Sequence, residues 1–253
     1  MKKFNGFSTG AVIGVIVAIF IVIAGILVVD RSNKAVVFEE YDFAKVIAAN
    51  DDNGNIGDHV KGNPNARAVI VEYADFQCEY CALMNSRVNA LVKELGDDVA
   101  VVYRNFLLSY HKNGTAAASA AEAAGLQGYW KEYADKLFSN QAEWAYASAS
   151  ERTALFNKYF EEVTNGEGDL NKFNKDIASE KVRKKLDFDA GIGQRIDISG
   201  TPSFYIDGQK FDYGNKEGAK IIIDGKTFAW DSQLTGDGFE KYIKEIVKVK
   251  NEG

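Results

Sequence analysis

Residues 68–81 read AVIVEYADFQCEYC, and the fold turns on how that stretch divides. Its first seven residues, Ala68 to Ala74, form a short, nearly continuous apolar run rich in β-branched side chains, the pattern of a strand buried on both faces of a sheet. Val99 to Phe106 (VAVVYRNF) repeats that pattern. Between the two runs, Cys81, Met84, Val88, Leu91 and Leu95 recur at steps of three and four, which marks one apolar helix face, and Gly96 stands where a C-cap is expected. Strand, helix, strand predicts a βαβ crossover and therefore an α/β fold.

Working towards the carboxy terminus, residues 114–197 carry helical composition and no good strand: an alanine-rich run from Thr115 to Ala124, then YWKEYADKLF, ERTALFNKYFEEV and a charged stretch through Arg195. This predicts a helical insertion. Ser203 to Ile206 and a strand after Gln209 flank Asp207-Gly208, a hairpin signal, and Ile221 to Trp230 repeats it around Asp224-Gly225. A final helix is expected over about Gly238 to Lys250. No internal repeat is present.

Towards the amino terminus, Asp51 to Asn65 is polar and glycine-bearing and ends near Pro64, which reads as a linker and domain entrance. The pattern of residues 35–49 fits neither strand nor helix. Further upstream, no charged residue occurs from Phe4 to Val29, and the run is long enough to cross a hydrocarbon core of roughly 30 Å. It exceeds the usual h-region of an export signal and is followed by no small-x-small cleavage site, so an uncleaved single transmembrane helix is expected. Lys2 and Lys3 face Arg31 and Lys34 across the span, and Asp30 tips the balance towards a cytoplasmic amino terminus, leaving the remainder extracytoplasmic. The expected organisation is a membrane anchor over 1–34, a juxtamembrane linker over 35–61 and a folded domain over 62–253, with its insertion at about 114–197. A net charge of -6 and the lack of any long Lys/Arg run argue against nucleic acid as a partner.

The chain has only two cysteines, Cys78 and Cys81, so no structural disulfide network is possible. A C-x-x-C pair at the junction of strand and helix in a βαβ unit points to redox chemistry. Cys78 at the helix start lies near unsatisfied N–H groups and the positive end of the dipole, which favour its thiolate and make it the expected attacking sulfur. Cys81, one turn deeper on the same side, suits a resolving role. Half a zinc site is the competing reading. It lacks a second half, since His59 and His111 are the only histidines and lie far apart in sequence. No metal or cofactor is expected. Thr201-Pro202, after Gly200, places one of only two prolines at the mouth of an apparent strand, where proline is unfavourable unless it starts the strand or its bond is cis.

The run VEYADFQCEYC, the stretch RNFLLSYHKNGTAAASAAEAA, the following WKEYADKLF and the later SGTPSFYIDG resemble the DsbA-like branch of the thioredoxin superfamily, in which a helical domain interrupts the thioredoxin fold. The resemblance covers roughly residues 62–213. It implies that Cys78 and Cys81 are the redox pair, and that Pro202 is a cis-proline facing them that docks an extended substrate strand, with Thr201 beside it. It also places Glu72 where the family often carries an acid that serves proton transfer for the inner cysteine; a charge at a poorly buried strand end is the plainer alternative.

Two features depart from the family. Glu79-Tyr80 stands between the cysteines, and a carboxylate there is expected to disfavour the Cys78 thiolate and weaken the oxidant. A proline common near Phe106-Leu107-Leu108 is absent. Tyr73, Phe76 and Tyr80 could line an apolar rim for unfolded substrates or could be core; His111 reads as structural or surface. The implied activity is introduction of disulfides into cysteine-containing exported proteins, with a membrane partner recharging the pair. A reductase or isomerase on the same fold and a non-catalytic tethered chaperone are the alternatives, and direction is set by the potential and the recharging partner.

Overall fold

The strand–helix–strand unit read from residues 68–106 is the centre of the molecule. In a computed structural model that describes residues 36–211, 220–229 and 238–252, β1 (His59–Gly62), β2 (Ala68–Ala74), β3 (Val99–Asn105), β4 (Ser203–Ile206) and β5 (Gln209–Phe211) form one sheet in the order β1-β3-β2-β4-β5. β2 and β3 run parallel, joined by α1 (Glu79–Leu95), and every other pairing is antiparallel. All of β3 and nearly all of β2 are buried, which explains their near-continuous apolar sequence. The hairpin between β4 and β5 turns on Asp207 and Gly208, both at positive φ (49° and 72°), as a type I′ turn requires. Asp224 and Gly225 (46° and 78°) repeat that geometry between β6 (Lys220–Ile223) and β7 (Lys226–Ala229).

The expected insertion is a bundle: α2 (Gly114–Gly125), α3 (Trp130–Ser139), the short α4 (Gln141–Trp144), α5 (Ala149–Val163), α6 (Leu170–Ile177) and α7 (Glu180–Arg195). Six buried alanines let α2 approach its neighbours closely. α8 (Gly238–Glu252) closes the fold with Phe239, Ile243, Ile246 and Val247 against Ile70, Met84, Val88 and Leu91. A second core holds Ala74, Phe76, Cys78, Cys81 and Tyr103 together with the helical bundle. α1 therefore straddles two cores. Cys81 belongs to one and Met84, a turn later, to the other.

The linker expected over 35–61 is corrected. Residues from Phe38 onward belong to the same compact unit as the rest, and His59–Gly62 is a sheet strand paired with β3. Ile47 and Ile56 are core, and Arg104, fully buried, donates to the carbonyls of Phe43 (2.8 Å) and Lys45 (2.7 Å) and to Asp58 (2.7 Å). The segment is polar because it is fastened by hydrogen bonds and ion pairs, so hydrophobic periodicity could not reveal it. The expected anchor over 1–34 lies outside the described residues; among the described residues no helix is long and apolar enough to cross a membrane.

Candidate active site

β2 ends at Ala74, and the chain turns through Asp75, whose carbonyl accepts the Cys78 N–H at 3.0 Å. Cys78 is then the N-cap of α1, with extended backbone (φ -77°, ψ 121°) and a side chain that makes no capping hydrogen bond, so its sulfur sits at the positive end of the helix beside N–H groups that have no partner within it. The two cysteines are free thiols in very different surroundings. Cys78 is held down to about 6, first by a hydrogen bond from the Cys81 side chain, then by Thr201 and the N–H groups of Cys81 and Tyr80, against the opposing effect of its own burial. Cys81 is pushed well above the ordinary thiol range by burial, then by its hydrogen bond to Cys78 and the negative charges of Cys78 and Glu72. Cys78 is 6% exposed and Cys81 fully enclosed.

Thr201-Pro202 lies across from Cys78, and its peptide bond is cis. The Cys78 Sγ donates to the Thr201 carbonyl at 3.3 Å. The Thr201 hydroxyl is buried with no partner while Cys78 is a thiol, so it can turn to the sulfur as the proton leaves. Pro202 opens β4, which pairs with β2 and so places Phe204 opposite Glu72.

Glu72 sits in the middle of the sheet, 5% exposed, next to Tyr103 of β3. It is not at a poorly buried strand end. Its carboxyl is pushed up to about 7 by burial, with the positive charge of Lys61 pulling down and the Cys78 charge pushing further up. No hydrogen bond reaches that carboxylate among the described residues. Its neighbour Tyr103, whose hydroxyl is pushed well up by burial and then by the negative charges of Cys81 and Glu72, has a buried hydroxyl without a partner. Lys61 was not read from the sequence. Its ammonium donates to Asn85 (2.5 Å), Asn89 (2.8 Å) and Asp135 (3.2 Å), so β1, α1 and α3 meet on one charge near Glu72. Contributors this far apart in the chain leave no local pattern to read.

One sequence expectation changes, one open alternative divides, and the reading of His111 as a structural residue holds. Glu79 is exposed at the first position of α1, where water screens it, and the Cys78 thiol is lowered despite it. Of the suggested apolar rim, Tyr73 and Phe76 are fully buried core; only Tyr80, 62% exposed, faces outward, joined by Leu83 one turn on. His111 is held by Asp75 (Nδ1 to Oδ2, 2.8 Å), and the same carboxylate accepts the N–H groups of Gln77 and Leu108. That histidine braces the turn before Cys78.

Known proteins resemble this chain in sequence and in fold. The family described as Thioredoxin is matched over residues 54–245. The chain is 32% identical over 158 residues to a segment of the Na(+)/H(+) antiporter NhaA 1 of Mycolicibacterium gilvum; the match takes in 60% of this chain and only 24% of that relative's length. Among solved structures, the chain resembles BdbD from Bacillus subtilis (TM-score 0.57, 17% identity, 84% of this chain and 100% of that one). It also resembles alpha-DsbA1 of Wolbachia pipientis (TM-score 0.54, 20% identity, 77% and 93%). The chain belongs to the thioredoxin family, with a fold like that of the DsbA proteins and the Cys78/Cys81 pair at the start of α1.

Proposed function

We propose that the protein is a membrane-tethered, extracytoplasmic oxidant that introduces disulfide bonds into exported proteins. The observation that carries the reading is the opposed setting of the two thiols, Cys78 down to about 6 and Cys81 well up. Starting from the Cys78–Cys81 disulfide, a substrate thiolate attacks the more accessible Cys78 Sγ, and Cys81 leaves as a thiolate. A high-lying thiol takes up a proton at once, and Glu72, protonated below about 7, supplies it. A second substrate thiolate then attacks the substrate sulfur of the mixed disulfide, and Cys78 departs as a stable thiolate. The substrate has lost two electrons and gained a disulfide; the enzyme holds a dithiol. A stabilised reduced form makes the pair a better oxidant. A disulfide-bearing membrane partner then accepts the two electrons. Pro202 and Thr201 provide the edge on which an extended substrate segment docks beside Cys78.

The uncharged run Phe4 to Val29 supports the tether. The matched relative named as a Na(+)/H(+) antiporter, an activity that requires a membrane, supports the same setting. The decisive experiment is equilibration of the full chain with glutathione. A potential between about -270 mV, typical of thioredoxin, and about -120 mV, typical of DsbA, supports an oxidant. A value at or below the thioredoxin end overturns it in favour of a reductase.

A further inference from the structure

The short α4 is the one element of the insertion stitched to the redox turn from both ends. At its start, Gln141 Nε2 donates to the carbonyls of Phe76 (2.7 Å) and Cys78 (3.0 Å). Beyond its end, the Ala145 carbonyl accepts Gln77 Nε2 at 2.8 Å, and the Gln77 Oε1 accepts the Asn113 N–H at 2.7 Å. Asn113 in turn donates to the carbonyls of Trp144, Ala145 and Ala147. The brace is itself fixed: Trp144 is fully buried, donates from Nε1 to the Leu137 carbonyl (2.9 Å) and packs edge-on against Phe156. Residues 76–78 are thus gripped on both sides by amides from an insertion that begins more than thirty residues later.

We infer that Gln141 is a positioning residue for the nucleophile: by tying the carbonyls on either side of Gln77, it sets the Cys78 backbone so that its sulfur meets the first N–H groups of α1. The inference rests on the reading of Cys78 as the reacting sulfur. The carbonyl of Cys78 already accepts the Ala82 N–H at 3.1 Å, closing the first helical turn, and with an extended ψ of 121° the residue stands at the helix start, where the N–H groups of Cys81 and Tyr80 help to lower its thiol. Those donors act on sulfur only in that orientation, because hydrogen-bond strength falls steeply with angle. Without Gln141 the Phe76 and Cys78 carbonyls lose a shared donor, the turn gains freedom at Cys78, and the thiolate loses alignment with the helix start. On this account the helical insertion acts on the chemistry as well as on substrate access.

The test is the pH dependence of Cys78 alkylation in the reduced full chain, read beside the thermal midpoint. Gln141→Leu and Gln141→Met, both of similar length and without donors, are expected to raise the thiol midpoint by about one unit, a roughly tenfold loss of thiolate below the midpoint. Trp144→Phe loosens the same helix without touching the turn and is expected to lower the thermal midpoint while leaving the thiol where it is. Two outcomes overturn the inference: Gln141 variants that titrate like the parent, or Trp144→Phe moving the thiol as far as Gln141→Leu for the same loss of stability. The parent chain's potential against glutathione judges the oxidant reading separately, since the difference between parent and variant is readable whichever way electrons flow.

Discussion

Two regions of this protein bury ionisable groups, and they do so in opposite ways. Behind β3, Arg104 donates to Asp58, to the Phe43 and Lys45 carbonyls and to the Tyr73 hydroxyl, while Lys185 pairs with Asp58 and Asp189. Asp189 accepts from Asn105, and Glu122 accepts from Asn105 and faces His59 at 2.7 Å. Charge is matched group by group, and the carboxyl of Asp58 is held low by Lys185 and Arg104 against its burial. Around Glu72, by contrast, the carboxylate has no hydrogen bond and the Tyr103 and Thr201 hydroxyls lack partners among the described residues, and Cys81 is buried with a raised thiol. A cluster whose buried charges meet opposite charges fastens a segment. A half-satisfied one keeps protons ready to move.

The comparison can be broken most sharply at the sulfur. Cys78→Ser should abolish disulfide exchange while the thermal midpoint of the reduced chain stays within a few degrees, and Cys81→Ser should accumulate covalent complexes on non-reducing gels because the resolving sulfur is gone. Failure of Cys81→Ser to trap anything, with activity surviving in the double variant, would remove the redox site. At the clamp the effect should fall on stability alone. Arg104→Leu removes the nearer of Asp58's two ion-pair partners (2.7 Å, against 3.3 Å for Lys185) together with the donor to the Phe43 and Lys45 carbonyls, and should cost about 3–5 kcal/mol in denaturant unfolding, with the Cys78 titration unmoved in whatever fraction remains folded. A shifted thiol there would merge the two regions.

Glu72→Gln sharpens the contrast because its two effects have opposite signs. Proton delivery to Cys81 is lost, so formation of the mixed disulfide from the oxidised pair should slow by roughly a hundredfold. Stability should move the other way. The folded carboxyl lies near 7 against an ordinary 4.5, so its contribution is fully present below 4.5 and is lost as pH rises through about 7. The native protein therefore carries a burden at pH 8 that glutamine relieves, on the order of 3 kcal/mol. Urea unfolding at pH 4 and pH 8 checks it; equal stability of the two proteins at pH 8 would mean Glu72 is not a strained acid. The smallest effect belongs to Glu79→Gln, where an exposed carboxylate should move the Cys78 midpoint by at most about 0.3 of a unit.

What was legible in the sequence was whatever repeats at short range. Alternating and run-like apolar patterns disclosed β2, α1 and β3, the pairs Asp207-Gly208 and Asp224-Gly225 disclosed both hairpins, and the spacing of Cys78 and Cys81 disclosed the redox pair. Partnerships formed across the chain were not legible. β1 falls in a stretch whose polar sequence reads as a linker, because Lys61 meets Asn85, Asn89 and Asp135 rather than an apolar layer. Gln141 looks like an ordinary helix residue until it reaches two carbonyls some sixty residues back. Glu79 misled for the same reason in reverse: adjacency in sequence suggested a strong effect on Cys78, whereas exposure to water decides the strength of a charge.

The central claim, that the fold divides the labour between an ionised outer sulfur and a protonated inner one, is tested most directly by alkylating the reduced full chain across pH and locating the modified cysteine. Cys78 should react with a midpoint of about 6 while Cys81 stays unmodified well into the alkaline range. Two cysteines reacting together, with a shared midpoint near the ordinary thiol value of about 8.5, would contradict it.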